Sequence, residues 1–411
     1  MEPGEDEPDR EQLGERHGIA VFERRCGGSY DGRGIRFRAI GVERPPCHRF
    51  AIAAALALGA GVTWNIANVG AVADPLADAY GVSLAVVGLF TTALFVTHLL
   101  VQIPAGRASD RIGARNVGLL AVVAVVAGNL LLLAAPDSAL AIVARLLVGV
   151  GSGAGFVAGA EYMRSAHASP VLQGLYGAAT MAGGGLAIAI VPQLAPLLGW
   201  RAPYWSALAA AALTGAVLAA APAHKLQFVT RRGGFVADRR LLRLGLLHGA
   251  TFGLSVVAAN WIVPLLERHG HSRGTAAALG SLLLLGGIVT RPLGGFVVGR
   301  SATLAAALLV GAAAFAVLAT PAPLPVLGAG AAVAGLAAGL PFAAVFAGAQ
   351  LTRPDAPGAA VGFVNAWAIS AVVGGTPLLG LAFSLPGEGR IGFGCLAVLW
   401  AAAVATVPRG N

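Results

Sequence analysis

Charged side chains are scarce in this chain. Asp, Glu, Lys and Arg make up 11% of its 411 residues, whereas soluble domains contain about a quarter. Hydrophobic residues make up 57%, and the mean hydropathy is +0.76. Because only lipid can solvate so large an excess of apolar surface, the composition excludes a soluble globular protein and predicts a membrane protein.

Cysteine is also rare, and histidine clusters and phosphate-binding motifs are missing. Cys26, Cys47 and Cys395 have unrelated spacings, so they predict neither a disulfide framework nor a metal site. The sequence contains no Gly-Lys-Ser/Thr motif, which argues against a phosphate loop and ATP hydrolysis. The histidines form no His-x-x-x-His set with an acid. We therefore predict a protein that is not an enzyme and that has no metal and no cofactor.

Long apolar runs dominate the chain from about residue 50 onward. Each run has about 20 residues, which is enough for a helix to cross a hydrocarbon core of roughly 30 Å. The short alternating strands of a membrane β-barrel do not appear. The sequence predicts an all-α membrane protein with twelve transmembrane helices. The predicted spans are 50–73, 84–106, 116–135, 138–162, 170–195, 202–221, 243–265, 275–298, 301–320, 324–349, 358–383 and 390–407.

An internal repeat divides these spans into two sets of six. Residues 75–83 (Pro-Leu-x-Asp-x-x-Gly-x-Ser) match residues 264–272 (Pro-Leu-x-Glu-x-x-Gly-x-Ser) at an offset of 189 residues. The same offset maps Gly106 onto Gly295 and Arg111 onto Arg300. Several matches at one spacing predict two pseudo-symmetric six-helix bundles. The predicted segments are a disordered cytoplasmic tail at 1–48, a bundle at 49–221, a cytoplasmic loop at 222–242 and a bundle at 243–411.

The basic residues are distributed unevenly between the two sides of this arrangement. The net charge of +9 alone would be compatible with nucleic-acid binding. Past residue 48, however, fourteen Lys and Arg residues fall in loops and ends on one side and four on the other. This bias places both termini in the cytoplasm. We predict a multi-pass protein of the plasma or inner membrane with no nucleic-acid partner.

Two motifs suggest a family. Residues 106–115 (Gly-Arg-Ala-Ser-Asp-Arg-Ile-Gly-Ala-Arg) resemble the loop 2–3 signature of the major facilitator superfamily. Residues 145–151 (Arg-x-x-x-Gly-x-Gly) resemble its span-4 pattern, and the resemblance covers roughly residues 50–407. It implies a secondary transporter that works by alternating access and is driven by a proton gradient. The implied partners are a small-molecule substrate, protons and the lipid bilayer, and the implied functional unit is a monomer.

Charges gather at the predicted inner ends of the spans. The resemblance implies that such charges form an ion-pair latch that closes the cytoplasmic side, and Asp110 is expected to pair with Arg107, Arg111 or Arg115. The alternative is ordinary solvated loop charge, which contributes little. The predicted gate residues are Gly106, Asp110, Arg111, Gly113, Arg115, Glu161, Arg164, Arg300 and Arg353.

Two arginines lie inside predicted spans, where a charge is costly and normally has a partner. Arg145 could line a cavity or take part in proton coupling, hold helices together or extend its head to the interface. Arg291 resembles the span-8 arginine that binds the anion in nitrate/nitrite porters, but Gln102 stands where those porters have a second arginine. Other polar residues in or near spans could contact substrate, carry a proton or bond helices together. These candidates are Asn65, Asn68, His98, Gln102, Tyr176, His248, Asn260, Trp261 and Asp74.

Two substrate classes remain open from the sequence. One is a small organic or inorganic anion held by Arg291 with Arg145. The other is a drug or metabolite that the protein exports in exchange for protons, since the glycines of residues 174–185 resemble the antiporter signature of drug exporters, without its Gly-Pro element. A non-transporting membrane sensor on the same fold is a third alternative.

Overall fold

A computed structural model describes residues 46–166, 169–223 and 238–408. These residues belong to one compact unit, and they form helices and no strands. Residues 1–45 of the predicted tail at 1–48 lie outside the described residues. Residues 224–237, most of the predicted loop at 222–242, also lie outside them.

The helices follow the order that the apolar runs predict. In the first half they are α1 Pro46–Ala67, α2 Ala73–Tyr80, α3 Leu84–Ile112, α4 Ala114–Ala134, α5 Ser138–Ala166, α6 Pro170–Leu198 and α7 Ala202–Ala220. In the second half they are α8 Arg239–His248, α9 Leu254–Arg268, α10 Arg273–Leu293, α11 Ser301–Leu318, α12 Leu324–Gly339, α13 Pro341–Thr352, α14 Pro357–Leu381 and α15 Arg390–Ala402.

The described residues contain 11 helical stretches that are long and apolar enough to cross a membrane. A shorter apolar stretch, Arg390–Thr406, completes the series. These stretches match the twelve predicted spans in order, so the prediction of an all-helical membrane fold is confirmed. Large apolar side chains on their outer faces, such as Leu100, Leu213 and Leu378, are 69%, 67% and 67% exposed, as expected for helices that face lipid.

The charged segment 106–115 is helical for most of its length, whereas the sequence predicts a loop. Helix α3 continues to Ile112, and α4 begins at Ala114. The turn between them is Gly113, whose φ of 88° favours glycine because a Cβ would crowd the backbone there. Gly106 lies inside α3, where it makes no turn but lets the helix approach the backbone of Gly358. The charged and polar residues of this segment can be accommodated in a helix, so their presence does not show where helix α3 ends.

Glycines let the two halves approach closely at one end of the molecule. This end, which holds the Gly113 turn, is called the Asp110 end below. A Cβ at Gly106 would lie 2.3 Å from the Gly358 carbonyl oxygen, and a Cβ at Gly174 would lie 2.1 Å from the Arg291 carbonyl oxygen. Because small residues permit such contact between membrane helices, the halves meet along two glycine seams, α3 with α14 and α6 with α10.

A π-helical turn, Gly249–Gly253, joins α8 to α9 within one membrane-crossing stretch. Such turns are rare and occur frequently at functional sites. This turn follows His248 directly and contains Phe252, so it sets where both rings lie in the protein interior.

Candidate functional site

Arg291 is a buried cation in the last turn of α10, with 3% of its surface exposed. Its Nη1 donates to the Gly177 carbonyl at 2.7 Å and to the Thr180 hydroxyl at 3.1 Å. Its guanidinium carbon lies 4.3 Å from the centre of the Phe342 ring and 5.0 Å from that of Phe252. None of the described acidic side chains forms an ion pair with Arg291, and its Nε has no hydrogen-bond partner. The site therefore has a positive charge and a free donor.

A small cleft, with a volume of about 20 Å³ in this state, lies against Arg291. Its apolar walls include Met181, Val256, Leu283 and Leu284 from both halves of the protein. Among the described residues that line the cleft, Arg291 is the one with a charge. An apolar cleft with a few polar groups that fix orientation is typical of small-molecule sites.

A chain of buried polar side chains crosses from the first half to the second. The Asn365 amide donates to the Gln102 side-chain oxygen at 3.1 Å, and the Asn365 oxygen lies 3.3 Å from His248 Nε2. Gln102 itself donates to the His98 carbonyl at 3.1 Å. His248 then stacks on Phe252, with ring centres 5.3 Å apart. This chain joins α3, α14 and α8, and it ends at the ring that also faces Arg291.

Both buried histidines keep one nitrogen without a partner. His98 Nδ1 lies 2.8 Å from the Ser152 hydroxyl, and its Nε2 has no partner. His248 uses Nε2 towards Asn365, and its Nδ1 has no partner. Each imidazole therefore keeps one buried ring nitrogen that makes no hydrogen bond among the described residues.

Arg145 lies in a separate place from Arg291. It is fully buried in α5, so its head does not extend to the interface. Its Nε donates to the Phe90 carbonyl at 3.2 Å and its Nη1 to the Asn65 carbonyl at 2.9 Å. Asn65 in turn accepts from Asn129 at 2.8 Å. These contacts hold helices of the first half together.

The expected pairing of Arg145 with Arg291 around one anion is not what the structure shows. Arg145 is about two turns from the end of α5 opposite the Asp110 end, whereas Arg291 is in the last turn of α10 at the Asp110 end. Counted along the helices, Arg145 is about 21 residues, or roughly 31 Å, from the Asp110 end of α5, and Arg291 is at most roughly 15 Å from that end, so their depths differ by at least roughly 16 Å. The two arginines therefore cannot hold one small anion in this state.

Asp110 connects the two halves through the backbone of α14. Its two carboxylate oxygens accept from the backbone N–H groups of Gly358 and Ala359 at 2.8 and 3.0 Å. These groups belong to the first turn of α14, where N–H groups lack helical partners and the helix dipole favours a negative charge. The expected ion pair of Asp110 with Arg107, Arg111 or Arg115 is wrong for the described residues, since backbone donors occupy the carboxylate.

Two ion pairs flank this contact, and each lies within one half. Glu161 and Arg164 form two hydrogen bonds of 2.9 and 2.6 Å within α5. Arg353 and Asp355 form two of 3.0 and 2.9 Å in the turn before α14, and this hydrogen bonding raises the pKa of Arg353. Asp110 joins the halves here through its carboxylate, which accepts from backbone amides.

The other predicted gate arginines do not cross between the halves. Arg115 donates to the Leu218 and Ala219 carbonyls at 2.9 and 2.6 Å, so it caps the C-terminus of α7. Arg111 and Arg300 are exposed at helix ends.

Several predicted substrate candidates hold helices of one half together. The bonds run from Asn68 to the Pro203 carbonyl, from Tyr176 to the Phe156 carbonyl and from Trp261 to the Thr376 carbonyl, at 2.9, 2.6 and 2.8 Å. Asn260 is exposed, and its amide lies 3.5 Å from the Thr376 hydroxyl. The side chain of Asp74 lies outside the described part of the protein.

Four residues at the site were missed by the sequence predictions. Asn365 could have been found, because it is a single amide in the apolar run 359–372. Phe252, Phe342 and Gly287 carry no such signal, since aromatic residues and glycine are common throughout the spans. Only their position around Arg291 distinguishes them.

Comparison with known proteins places this geometry in a known fold. The family described as the Major Facilitator Superfamily matches residues 53–376. No curated protein sequence matches the chain significantly. The crystal structure of the human organic anion transporter MFSD10 (TETRAN) is 19% identical, with a TM-score of 0.71 over 89% of this chain and 100% of that chain.

Two sugar transporters are similarly related. The fucose:proton symporter FucP of E. coli is 16% identical, with a TM-score of 0.69 over 87% of this chain and 98% of that chain. The proton:xylose symporter XylE is 15% identical, with a TM-score of 0.68 over 87% of this chain and 94% of that chain. At these identities the likeness shows the shared fold.

Proposed function

Because the chain belongs to the Major Facilitator Superfamily, whose members are transporters and not enzymes, we propose that it is a secondary transporter of a small monovalent anion. The observation that carries this proposal is Arg291, a buried cation with a free Nε at the wall of a cleft. We further propose that the protein works by alternating access as a monomer of the plasma or inner membrane, with both termini in the cytoplasm.

The charge of Arg291 favours an anion over a neutral solute. A charge inside a membrane protein is costly unless it is paired, and the described groups around Arg291 are neutral. A carboxylate or similar anion in the cleft would supply the counter-charge and accept a charge-assisted hydrogen bond from Nε. One unpaired cation corresponds to one negative charge on the substrate.

The names of the related structures include two substrate classes, organic anions and sugars. One belongs to an organic anion transporter and two to proton-coupled sugar symporters. A sugar presents several hydroxyl groups, and a site for it needs several buried donors and acceptors. Here the polar side chains on the cleft wall are Ser255 and Arg291 among the described lining residues. For this chain, the composition of the cleft wall favours an anion over a sugar as the substrate.

Proton coupling is assigned in this proposal to His248. The His248 Nδ1 has no hydrogen-bond partner, so it is the position at which this proposal places a proton. The His248 ring stacks on Phe252, which lines the anion cleft, and it bonds through Asn365 to Gln102 in the other half. Protonation at His248 would thus act on both the cleft and the contact between halves.

The contacts between the halves support an assignment of the conformational state. Those at Asp110, Gln102 and Arg291 lie within about ten residues, or roughly 15 Å, of the Asp110 end. Since the charge distribution places this end in the cytoplasm, we assign the state to a transporter closed on the inner side.

An exporter of apolar drugs or metabolites is the second candidate, and the apolar walls at Met181, Val256, Leu283 and Leu284 favour it. The two candidates differ in their dependence on Arg291. An exporter that recognises its substrate through the walls alone would not need this charge.

A ligand thermal-shift measurement on detergent-purified protein tests the proposal. Nitrate, acetate and longer carboxylates would be titrated at constant ionic strength, because a ligand that binds the folded state raises the unfolding temperature. We expect a shift in the wild type, none in Arg291→Gln, and an unchanged shift in Arg201→Gln, an exposed arginine stacked on Trp200. If Arg291→Gln responds like the wild type, or only uncharged lipophilic compounds stabilise the protein, the anion function is wrong and the exporter is favoured.

A further inference from the structure

We propose that the transported anion is a monocarboxylate with an apolar body, such as an aryl or medium-chain carboxylate, and that Gly287 provides the space for its carboxylate beside Arg291. This inference rests on the proposed function, because it takes Arg291 as the anion-binding group. It adds the chemical class of the substrate and a residue that determines specificity.

The free Nε of Arg291 faces a space that exists because residue 287 is a glycine. Gly287 lies four residues before Arg291 in α10, so the two share one face of the helix. A Cβ at Gly287 would lie 4.0 Å from Arg291 Nε and would meet no other atom within 4 Å beyond its own helix backbone. Gly287 is buried and lines the cleft. Nε is buried in this state, so a carboxylate would reach it on the side of Gly287 once the cleft widens.

The rest of the cleft offers little to a purely polar anion. Met181, Val256, Leu283 and Leu284 have no strong hydrogen-bonding groups. The Ser255 hydroxyl already donates to the Thr251 carbonyl at 2.6 Å. Nitrate or acetate at Nε would leave these walls without an apolar partner. An aryl or alkyl group, for which the cleft must widen from the state described here, would contact them and gain the free energy of removing apolar surface from water. The walls therefore select a substrate with an apolar body.

The internal repeat shows that this space is a difference between the halves. The offset of 189 residues maps His98 onto Gly287 and Gln102 onto Arg291. In the first half, the His98 ring is buried and bonded to Ser152. In the second half, the equivalent position has no side chain and the space belongs to the cleft. Arg291 stands in the second half where Gln102 stands in the first. Only the second half therefore has a charged side chain next to a position without a side chain.

The charge of the cleft also limits the substrate. With one cation and no acid among the described lining residues, a second carboxylate would be buried without a partner, and an amine would be repelled. We therefore expect weak binding of dicarboxylates and of amino acids.

Isothermal titration calorimetry of the purified full chain tests the inference. The ligands are benzoate, hexanoate, acetate, nitrate and the uncharged benzamide. We expect benzoate and hexanoate to bind at least tenfold more tightly than acetate or nitrate, and benzamide not to bind. Gly287→Leu should abolish benzoate binding, and the milder Gly287→Ala should weaken it several-fold. Gly374→Leu is the matched control, because a Cβ at this glycine in α14 also meets nothing within 4 Å, and it should bind benzoate like the wild type.

The outcomes separate the inference from the function on which it rests. If acetate and nitrate bind as tightly as benzoate, the apolar body is wrong and the anion function stands. If benzoate binds equally well to the wild type and to both Gly287 variants, the assignment of Gly287 is wrong. If no anion binds to the wild type, the proposed function itself fails. Should Gly287→Leu not fold, Gly287→Ala and the ligand series in the wild type still decide.

Discussion

Asp110 and Arg291 are both buried charges, but their surroundings compensate them differently. Asp110 accepts hydrogen bonds from two backbone amides of α14, which exist only while the two halves are in contact at this end. Arg291 donates to a carbonyl and a hydroxyl and has one donor left over. The charge of Asp110 therefore stabilises one conformation, and that of Arg291 remains available to a ligand.

Replacing Asp110 by asparagine should weaken the closed state. The substitution keeps the shape but removes the charge and one of the two acceptor oxygens. Hydrogen bonds to charged groups contribute about 1.5–3 kcal/mol, so we expect the ratio of closed to open molecules to fall roughly ten- to a hundredfold. The measurement is the labelling rate of Ser255→Cys, in a background without the native cysteines, by a membrane-impermeant maleimide from the side opposite the Asp110 end.

That labelling should slow in the Asp110→Asn background, because fewer molecules present the cleft to the opposite side. Asp78→Asn, an exposed acid in α2, should leave the rate unchanged. An equal rate in both backgrounds would show that the Asp110 contact does not control closure.

Gln102 and Asn365 should stabilise the protein only when both side chains are present, because each is the hydrogen-bond partner of the other. Asn365→Leu leaves the buried Gln102 oxygen and His248 Nε2 without their partner, which costs about 1–3 kcal/mol for each group. We expect a lower unfolding temperature for each single Leu variant. The double variant should recover part of the loss, with a coupling of about 0.5–3 kcal/mol. Strictly additive effects in the unfolding temperature would contradict a direct interaction.

At the scale of the helices, the glycine seams explain how α3 reaches α14. The seam brings the Gly106 position against backbone atoms of Gly358 and Ala359, and Asp110, one turn further along α3, then reaches the first amides of α14. Gly362 repeats the arrangement one turn deeper, where a Cβ would lie 2.2 Å from the Gln102 carbonyl oxygen. Close approach of the helices is thus a condition for the Asp110 contact.

A methyl group in the seam should separate the halves at the Asp110 end. Gly106→Ala would place Cβ against a backbone carbonyl that cannot rotate away, and such overpacking costs about 1–3 kcal/mol. We expect a lower unfolding temperature and slower labelling of the Ser255→Cys reporter. The matched control is Gly88→Ala in the same helix, where a Cβ meets nothing within 4 Å. If both variants behave alike, close packing at Gly106 is not what holds the seam.

The sequence was informative about helices and less so about their partners. Apolar length predicted the membrane spans, because a helix must match the thickness of the bilayer. The charges of residues 106–115 predicted a loop, but arginine is a good helix former and single serine and aspartate residues are tolerated in a helix, and Gly113 makes the turn. The partner of Asp110 is 248 residues away in the chain, and no local pattern encodes such a contact.

At the scale of the whole molecule, the repeat accounts for both seams. The offset of 189 residues that relates the halves also relates their contacts. Gly362 approaches Gln102 and Ile103, and Gly174 approaches Arg291 and Pro292, which are the residues that the offset maps onto 102 and 103. The repeat could therefore have predicted two equivalent seams. The departure from symmetry at His98 and Gly287 required the structure, because its meaning depends on the space around Arg291.

The uncompensated charge of Arg291 also has a kinetic consequence. An empty carrier must pass between its two states with this cation unpaired, whereas a loaded carrier does so as a neutral pair. The barrier for the empty protein should therefore be higher, and return of the empty carrier should limit the cycle. In proteoliposomes, exchange of internal labelled anion for external anion should run several-fold faster than net efflux into anion-free buffer. Equal rates would mean that the empty carrier returns freely. If exchange is faster, the protein acts mainly as an exchanger whose direction follows the anions on its two sides.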